Sequence, residues 1–382
     1  MQPSPYTPGE LARNVPGRAV QLGEFEERLS YLVDLHRLVG RIRIDYAPRG
    51  YGKTSLLRQY QMRAEARGAL AIWVTAGEST GLIAQLAHAI ERVTSTWHSE
   101  ARLRVQRSLQ SLTVSVGIPG VARVDAAVRP RGAEVTPPGA RAFEDLIRAA
   151  SAEGQLPVVI LIDEIQAADS PGLRTLAYAW QHLQAEGSDV RAAVFAAGLP
   201  NTPDVVAAAV TFSERIAYRP LHLLSEEAQE IAIVQPAVAI GVRWNQDAVA
   251  HAIDLAAGYP YTVQLLADAS WVAAGRPDPG GTITVDHVRL GWEAVQDDLE
   301  ALFRGRWANA TAQERELMTA MADLGDGPVK RADIAEKMSV RAESLGVPRG
   351  RLIDKGFIQA AGRGMVEFTI PGFAVFIRNR ED

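Results

Sequence analysis

The most specific chemistry in the sequence sits in nine consecutive residues, Ala47-Pro-Arg-Gly-Tyr-Gly-Lys-Thr-Ser55. They fit the phosphate-binding pattern G-x-x-x-x-G-K-[ST], with Ala47 where the first glycine is usual. Gly50 and Gly52 have no Cβ, so the backbone N–H groups around them can curl inward into an anion-binding nest. Lys53 offers a flexible point charge to the β- and γ-phosphates, and the Thr54 hydroxyl offers a ligand to Mg²⁺. The nucleotide-binding candidates are therefore Arg49, Gly50, Tyr51, Gly52, Lys53, Thr54 and Ser55.

A second constellation lies about 110 residues on, at Pro157-Val-Val-Ile-Leu-Ile-Asp163-Glu164. Five uninterrupted apolar residues ending in two acids describe a buried parallel strand whose carboxyl end meets a nucleotide. Asp163 would hold the water shell of Mg²⁺ beside Thr54, and Glu164 would orient and deprotonate an attacking water. Loop and acid pair together imply ATP or ADP as ligand, Mg²⁺ as cofactor, and hydrolysis of ATP to ADP and phosphate.

These residues need elements to hold them. Arg41–Tyr46 reads as a strand entering the loop, and Ser55 onward as a helix leaving it, so that the helix N-terminus points at the phosphates. Leu70–Thr75 and Val190–Ala197 read as further strands, and a last strand lies within Phe212–Leu224. Ser170 is expected to cap the helix that follows the acid pair. The fold class is thus α/β: a parallel sheet sandwiched by helices, followed by an all-helical lid and a C-terminal winged helix.

The expected boundaries are an extended Pro-rich arm at 1–16, the ATPase core at 17–224, a helical lid at 225–280, a linker helix at 281–310 and the winged helix at 311–382. Lid helices are expected to break at Pro236, Asn245 and Gly258-Tyr-Pro260. Within the core, 98–140 reads as an irregular insertion bearing Arg102, Arg104, Arg107, Arg123, Arg129 and Arg131. There, Leu112–Val116 and Val121–Val124 flank Gly117-Ile-Pro-Gly120, which suggests a β-hairpin.

Bulk composition narrows the class. Hydrophobic content of 47% with 22% charge describes an ordinary globular chain, and apolar runs such as Val158–Ile162 are too short to span a bilayer. The N-terminus lacks a basic start followed by an apolar core, so the expected location is cytoplasmic, with no membrane partner. A formal net charge of −5 leaves no global nucleic-acid footprint, and the absence of cysteine excludes disulfides, thiolate metal sites and a cysteine nucleophile.

The series Pro16-Gly-Arg18, Arg49-Gly-Tyr-Gly-Lys-Thr54, Ile162-Asp-Glu-Ile165, Gly198-Leu-Pro200 and Phe212–Arg215 resembles the AAA+ ATPases. The nearest groups are the origin-recognition/Cdc6-like proteins and the related STAND and archaeal-type ATPases, and the likeness runs over most of 16–375. The resemblance implies a homo-oligomer in which Arg215, just before the last core strand, completes a neighbour's site; Arg219 is a second candidate. It also implies that the surroundings of Arg18 lie near the adenine, and that Asn201 or Thr202 supplies the polar sensor after the fourth strand. Gly258–Gln264 lacks the arginine that Cdc6-like lids turn on the γ-phosphate, which leans towards STAND-like proteins and slow hydrolysis used as a switch.

A winged helix reads DNA through its third helix and its wing, which here offer Arg349, Arg351, Lys355 and Arg363. Residues 311–382 nevertheless hold 11 basic and 11 acidic side chains, without the excess a strong phosphate binder shows. Two readings stay open: an ATPase assembling on duplex DNA through this unit or the 98–140 insertion, and a signalling or defence switch whose winged helix contacts a protein partner.

Overall fold

Short strands buried on both faces pair in parallel when helices cover each side of the sheet, and this chain builds such a sheet between Val20 and Pro220. The computed structural model describes residues 1–77, 80–116, 139–152, 156–186 and 190–380. They divide into two compact units, one of Val20–Tyr46 with Leu56–Pro220, the other of Met1–Ala19, Ala47–Ser55 and Leu221–Asp382.

The first unit holds β1 (Arg43–Tyr46), β2 (Leu70–Thr75), β3 (Val158–Asp163), β4 (Ala192–Gly198) and β5 (Ala217–Pro220). All neighbours are parallel, in the order β2-β3-β4-β1-β5. Every residue of β3 and β4 is buried, as their apolar runs require. Ala196 is in register with both Ile44 and Ile162, so Asp163 ends its strand level with Asp45, one residue short of the point where β1 runs into the phosphate loop. Helices α1 (Ala19–Val33), α2 (Lys53–Ala66), α3 (Leu82–Val93), α4 (Ser99–Val116), α5 (Ala140–Ala152), α6 (Ser170–Glu186) and α7 (Thr202–Ala209) complete this part of the chain.

β1 carries a buried ion pair that its sequence pattern does not announce. Arg43, wholly buried, donates from Nη2 to Asp45 Oδ1 at 2.9 Å and from Nη1 to Glu24 of α1 at 2.7 Å. The Tyr60 hydroxyl of α2 donates to Asp45 Oδ2 at 3.0 Å. The network ties together α1, β1 and α2, the elements on either side of the loop.

Two local expectations in this unit are corrected. Leu112–Val116 is not a hairpin strand; it is the end of α4, whose Ala101, Val105 and Leu112 recur at helical spacing and are buried. Burial of that stripe overrides the β propensity of Thr113, Val114 and Val116. The other expected hairpin arm, Val121–Val124, with Arg123, Arg129 and Arg131, lies outside the described residues. The cap of α6 is Asp169 rather than Ser170: Asp169 Oδ2 accepts from Gly172 N at 2.9 Å, while Oδ1 accepts from Leu82 N at the start of α3 at 2.7 Å. One carboxylate thereby satisfies two helix N-termini, which a hydroxyl at 170 does not do.

In the second unit, α8 (Glu226–Val238), β6 (Arg243–Trp244), α9 (Gln246–Ala256), α10 (Pro260–Ala273), β7 (Thr282–Ile283) and α11 (Val285–Ala308) form the lid region. Ser225 caps α8, its Oγ accepting from Ala228 N. Pro236 does not break α8; it sits in the last turn, where its missing N–H interrupts little helix downstream. β6 pairs in parallel with β7, which closes the lid across the Gly275–Gly281 segment. The arm is built into this core: Tyr6 is buried, its hydroxyl donates to the Ile233 carbonyl and accepts from Trp244 Nε1, and Trp271 Nε1 donates to the Gln2 carbonyl.

The C-terminal part follows as α12 (Ala312–Leu324), β8 (Val329–Lys330), α13 (Arg331–Lys337), α14 (Gly346–Asp354), β9 (Ile358–Ala360), β10 (Met365–Phe368) and α15 (Phe373–Arg378). The three strands pair antiparallel in the order β8-β10-β9. Thr311 and Glu314 close a capping box, with Thr311 N donating to Glu314 Oε2 at 2.7 Å and Glu314 N to Thr311 Oγ1 at 3.4 Å. Among the described residues, no helix is long and apolar enough to cross a membrane.

Candidate nucleotide-binding site

The phosphate loop leaves the carboxyl end of β1 and runs into the N-terminus of α2, which begins at Lys53. Gly50 and Gly52 adopt φ of +84° and +81°, the left-handed conformation that turns successive N–H groups inward and that L side chains resist. Ala47 has no positive φ, so alanine is tolerated where the pattern usually has glycine. Lys53 is buried, and its Nζ donates to the Pro48 carbonyl at 2.9 Å, across the mouth of its own loop. Ser55 Oγ accepts from Ala12 N of the arm at 3.1 Å. Arg18, buried, donates to the carbonyls of Tyr51 at 3.1 Å and His222 at 2.9 Å, and so holds the loop backbone.

Lid and C-terminal residues grip the same loop. The Tyr259 hydroxyl, at the start of α10, donates to the Arg49 carbonyl at 3.0 Å, and a Cβ on Gly50 would lie 2.0 Å from that hydroxyl oxygen. Tyr51 is buried against the Tyr259 ring, and its hydroxyl donates to the Thr369 carbonyl at 3.1 Å. Behind it, Arg306 of α11 donates to the Gly356 carbonyl at 2.9 Å, which also accepts from Thr369 Oγ1 at 2.7 Å. Burial pushes the Tyr259 hydroxyl up to about 12 and pulls the Arg306 guanidinium below its usual range, against the pull of both tyrosines. None of this was visible in the Gly258-Tyr-Pro260 triplet, which reads only as a turn, or in an arginine near the end of a long helix.

At the carboxyl end of β3, Asp163 is buried and its Oδ1 accepts from Glu164 N at 3.0 Å. Glu164 has φ 51° and ψ 40°, a left-handed backbone costing about 1–2 kcal/mol for a side chain of this kind. Strain of this sort persists where the surroundings over-determine it, which is common at functional sites. Gln166, in the three-residue turn that follows, donates from Nε2 to Glu164 Oε2 and accepts at Oε1 from Leu199 N at 2.9 Å.

The segment after β4 separates the two sensor candidates. Thr202 Oγ1 donates to the Leu199 carbonyl at 2.6 Å, whereas Asn201 Oδ1 is buried with no hydrogen-bond partner among the described residues. The arginine candidates separate too. Arg219 pairs with Glu24 at 3.3 Å. The side chain of Arg215 is exposed and makes no hydrogen bond or ion pair with the described residues, Glu214 included. Its backbone is pinned: Arg41 donates to the carbonyls of Glu214, Arg215 and Ile216.

In the C-terminal part, Lys355 Nζ donates to buried Glu314 Oε2 at 2.7 Å and to the Asn309 carbonyl at 2.9 Å. It is a structural cation. Arg349, Arg351 and Arg363 make no such pairing with the described residues, and Arg351 and Arg363 are exposed.

Comparison with known proteins agrees with this geometry. Residues 15–191 match the AAA ATPase domain family, the span that contains both the phosphate loop and the acid pair. Residues 300–377 match a domain of unknown function, DUF8462. Among solved structures, the chain is similar to the Walker-type ATPase paby2304 of Pyrococcus abyssi, at 14% identity and a TM-score of 0.59, over 96% of this chain and 99% of that one. It is also similar to the ORC2 protein of Aeropyrum pernix in its ADP form, at 13% identity and a TM-score of 0.54, over 98% and 96% of the two chains. At such identities the likeness is one of fold. No curated protein matches the chain by sequence. The sheet therefore has the P-loop ATPase fold.

Proposed function

We propose that this protein binds ATP with Mg²⁺, hydrolyses it slowly, and uses the nucleotide to switch its own assembly on duplex DNA. The observation that carries the reading is the acid pair at the end of β3: a buried Asp163 followed by Glu164 in a strained backbone, on the sheet edge from which the phosphate loop departs. The loop N–H groups and Lys53 bind the β- and γ-phosphates, Lys53 exchanging the Pro48 carbonyl for phosphate oxygen. Thr54 and Asp163 would hold Mg²⁺, which would supply charge neutralisation at the phosphate oxygens. Glu164 orients the attacking water and accepts its proton, and Asn201 Oδ1, buried and unpartnered among the described residues, orients that water from the end of β4.

Arg215 acts in trans in this reading. A pinned backbone, an exposed guanidinium and no partner among the described residues are what an arginine needs to reach a neighbouring copy's γ-phosphate. The C-terminal unit is a winged helix by its order of helices and strands, and Arg349, Arg351 and Arg363 are its phosphate contacts. The likeness in fold to an ORC2 protein solved in its ADP form supports the nucleotide-binding part of the reading. The test is ATP turnover with and without duplex DNA, with Glu164→Gln as the blank. Stimulation by DNA supports the reading, and turnover indifferent to DNA removes the DNA arm of it.

One observation favours the second reading, a STAND-like signalling or defence switch with a protein partner. The contact of Tyr51 with Thr369 places the C-terminal unit directly on the phosphate loop, where it can lock one nucleotide state. Tightly bound ADP in the purified protein, with no response to DNA, would support it.

A further inference from the structure

We propose that Gln166 is the positioning residue of the hydrolytic site, a strut that fixes the Glu164 carboxylate against the segment carrying Asn201. The inference rests on the reading of Glu164 as the base.

The amide of Gln166 is satisfied at both ends in one orientation only. Its Nε2 donates to Glu164 Oε2 and its Oε1 accepts from Leu199 N at 2.9 Å. Flipped, it would set a carbonyl against a carboxylate and an NH₂ against an N–H. The turn Ile165–Ala167 that carries it is closed by Ala167 N donating to the Glu164 carbonyl at 2.8 Å, and Ile165 is buried beneath. Gly198, the last residue of β4, leaves room for the strut: a Cβ there would lie 2.2 Å from Thr202 Oγ1 and 3.0 Å from Gln166 Oε1.

The consequence for chemistry is a division of labour between the two carboxylate oxygens. Oε2 is held by Gln166, and Oε1 makes no hydrogen bond with the described residues. Oε1 is thus the oxygen that receives the proton of the attacking water as its oxygen bonds to the γ-phosphorus and ADP departs. The far end of the strut is the backbone at Leu199, two residues before Asn201, so a shift of that segment moves the base. Neither an isolated glutamine nor its spacing signals this role in the sequence; it arises only because the turn after β3 meets the end of β4.

The experiment compares Gln166→Met with the wild-type chain in steady-state ATP turnover, ATP binding by titration and thermal melting. Gln166→Met is expected to lower kcat by about 10²-fold, the scale of an ångström-size misplacement, with KM and ATP affinity within about twofold. In a Glu164→Gln background it should cause no further loss, because it acts through that carboxylate. Gln166→Glu, nearly isosteric, sets a second carboxylate against Glu164 and should give the same loss if Gln166→Met fails to fold. Unchanged kcat in the folded variants, or an additive loss in the Glu164→Gln background, overturns the strut while leaving Glu164 as base. Wild-type turnover in Glu164→Gln alone overturns both.

Discussion

The hydroxyl of Tyr51, inside the phosphate loop, donates to the backbone carbonyl of Thr369 at 3.1 Å, and both residues are buried. A residue that must move if the loop reshapes around phosphate is therefore fastened to the C-terminal unit. Tyr51→Phe should cost about 1 kcal/mol of stability, the usual net worth of such a bond, read by urea unfolding. Hydrogen exchange at 356–370 should change when ATP is added to the wild-type chain and respond less in Tyr51→Phe. Exchange there that ignores nucleotide in both proteins would show that the contact transmits nothing.

Gly50 is constrained twice, by φ +84° and by the Tyr259 hydroxyl 2.0 Å from where a Cβ would sit. Gly50→Ala should abolish ATP binding and lower stability by about 1–3 kcal/mol. Adding Tyr259→Ala should relieve the clash and recover part of the stability, but not the backbone strain, in a double-mutant cycle of melting curves.

Lys53→Ala should remove measurable ATP binding in a titration, because the buried ammonium is the proposed phosphate cation of the loop. Glu164→Gln should bind ATP as the wild type does and retain it unhydrolysed, since only the proposed proton acceptor is lost. Equal affinity in Lys53→Ala would refute the assignment of the loop.

Arg215→Ala should bind ATP normally and lose turnover by about 10³-fold or more if the arginine completes a neighbour's site. Mixing it with Lys53→Ala should restore activity, because the second chain still carries an intact Arg215 and the first an intact phosphate loop. Failure of the mixture, with each variant folded, would place Arg215 in a structural role.

The Glu314 carboxyl is buried, which pushes its pKa up, but the Lys355 ammonium and the Thr311 N–H and hydroxyl outweigh burial and hold it below the usual range. A carboxylate depressed in the folded state contributes stability above its unfolded pKa, and that contribution is lost as pH falls through the folded value. Stability should thus decline on acidification below about pH 4.5. Lys355→Met should cost about 2 kcal/mol at neutral pH and flatten this acid dependence, followed by urea midpoint against pH. DNA affinity in that variant should change less than in Arg351→Ala.

Much of the candidate site was legible in the linear chain because its motifs are local. Nine consecutive residues set the loop, and an apolar run ending Asp163-Glu164 could only be a buried strand with acids at its carboxyl end. Helix and strand existence followed from periodicity for the same reason, as did the Thr311–Glu314 capping box. The failures fell where distant packing outvotes neighbours. Leu112–Val116 alternates like a strand, yet Val105 and Leu112 are drawn into the core as one helical face. Asp169 displaces Ser170 as cap because it serves α3 as well, a demand invisible at position 170.

The sequence by itself determined the phosphate-loop motif, the α/β class and the order of the elements, since each depends on residue types at short spacing. Only the tertiary structure decided which of several equivalent side chains are committed and which are left over. Arg219 and Lys355 are neutralised by Glu24 and Glu314, while Arg215, Arg351 and Arg363 keep their charge without a partner among the described residues. Thr202 spends its hydroxyl on Leu199, while Asn201 keeps a buried acceptor. The same holds for Tyr51 and Thr369, and for Gln166 and Leu199, contacts whose partners lie 318 and 33 residues apart. Hydrogen bonds and ion pairs act over about 3 Å, a proximity between residues far apart in the chain that only folding creates.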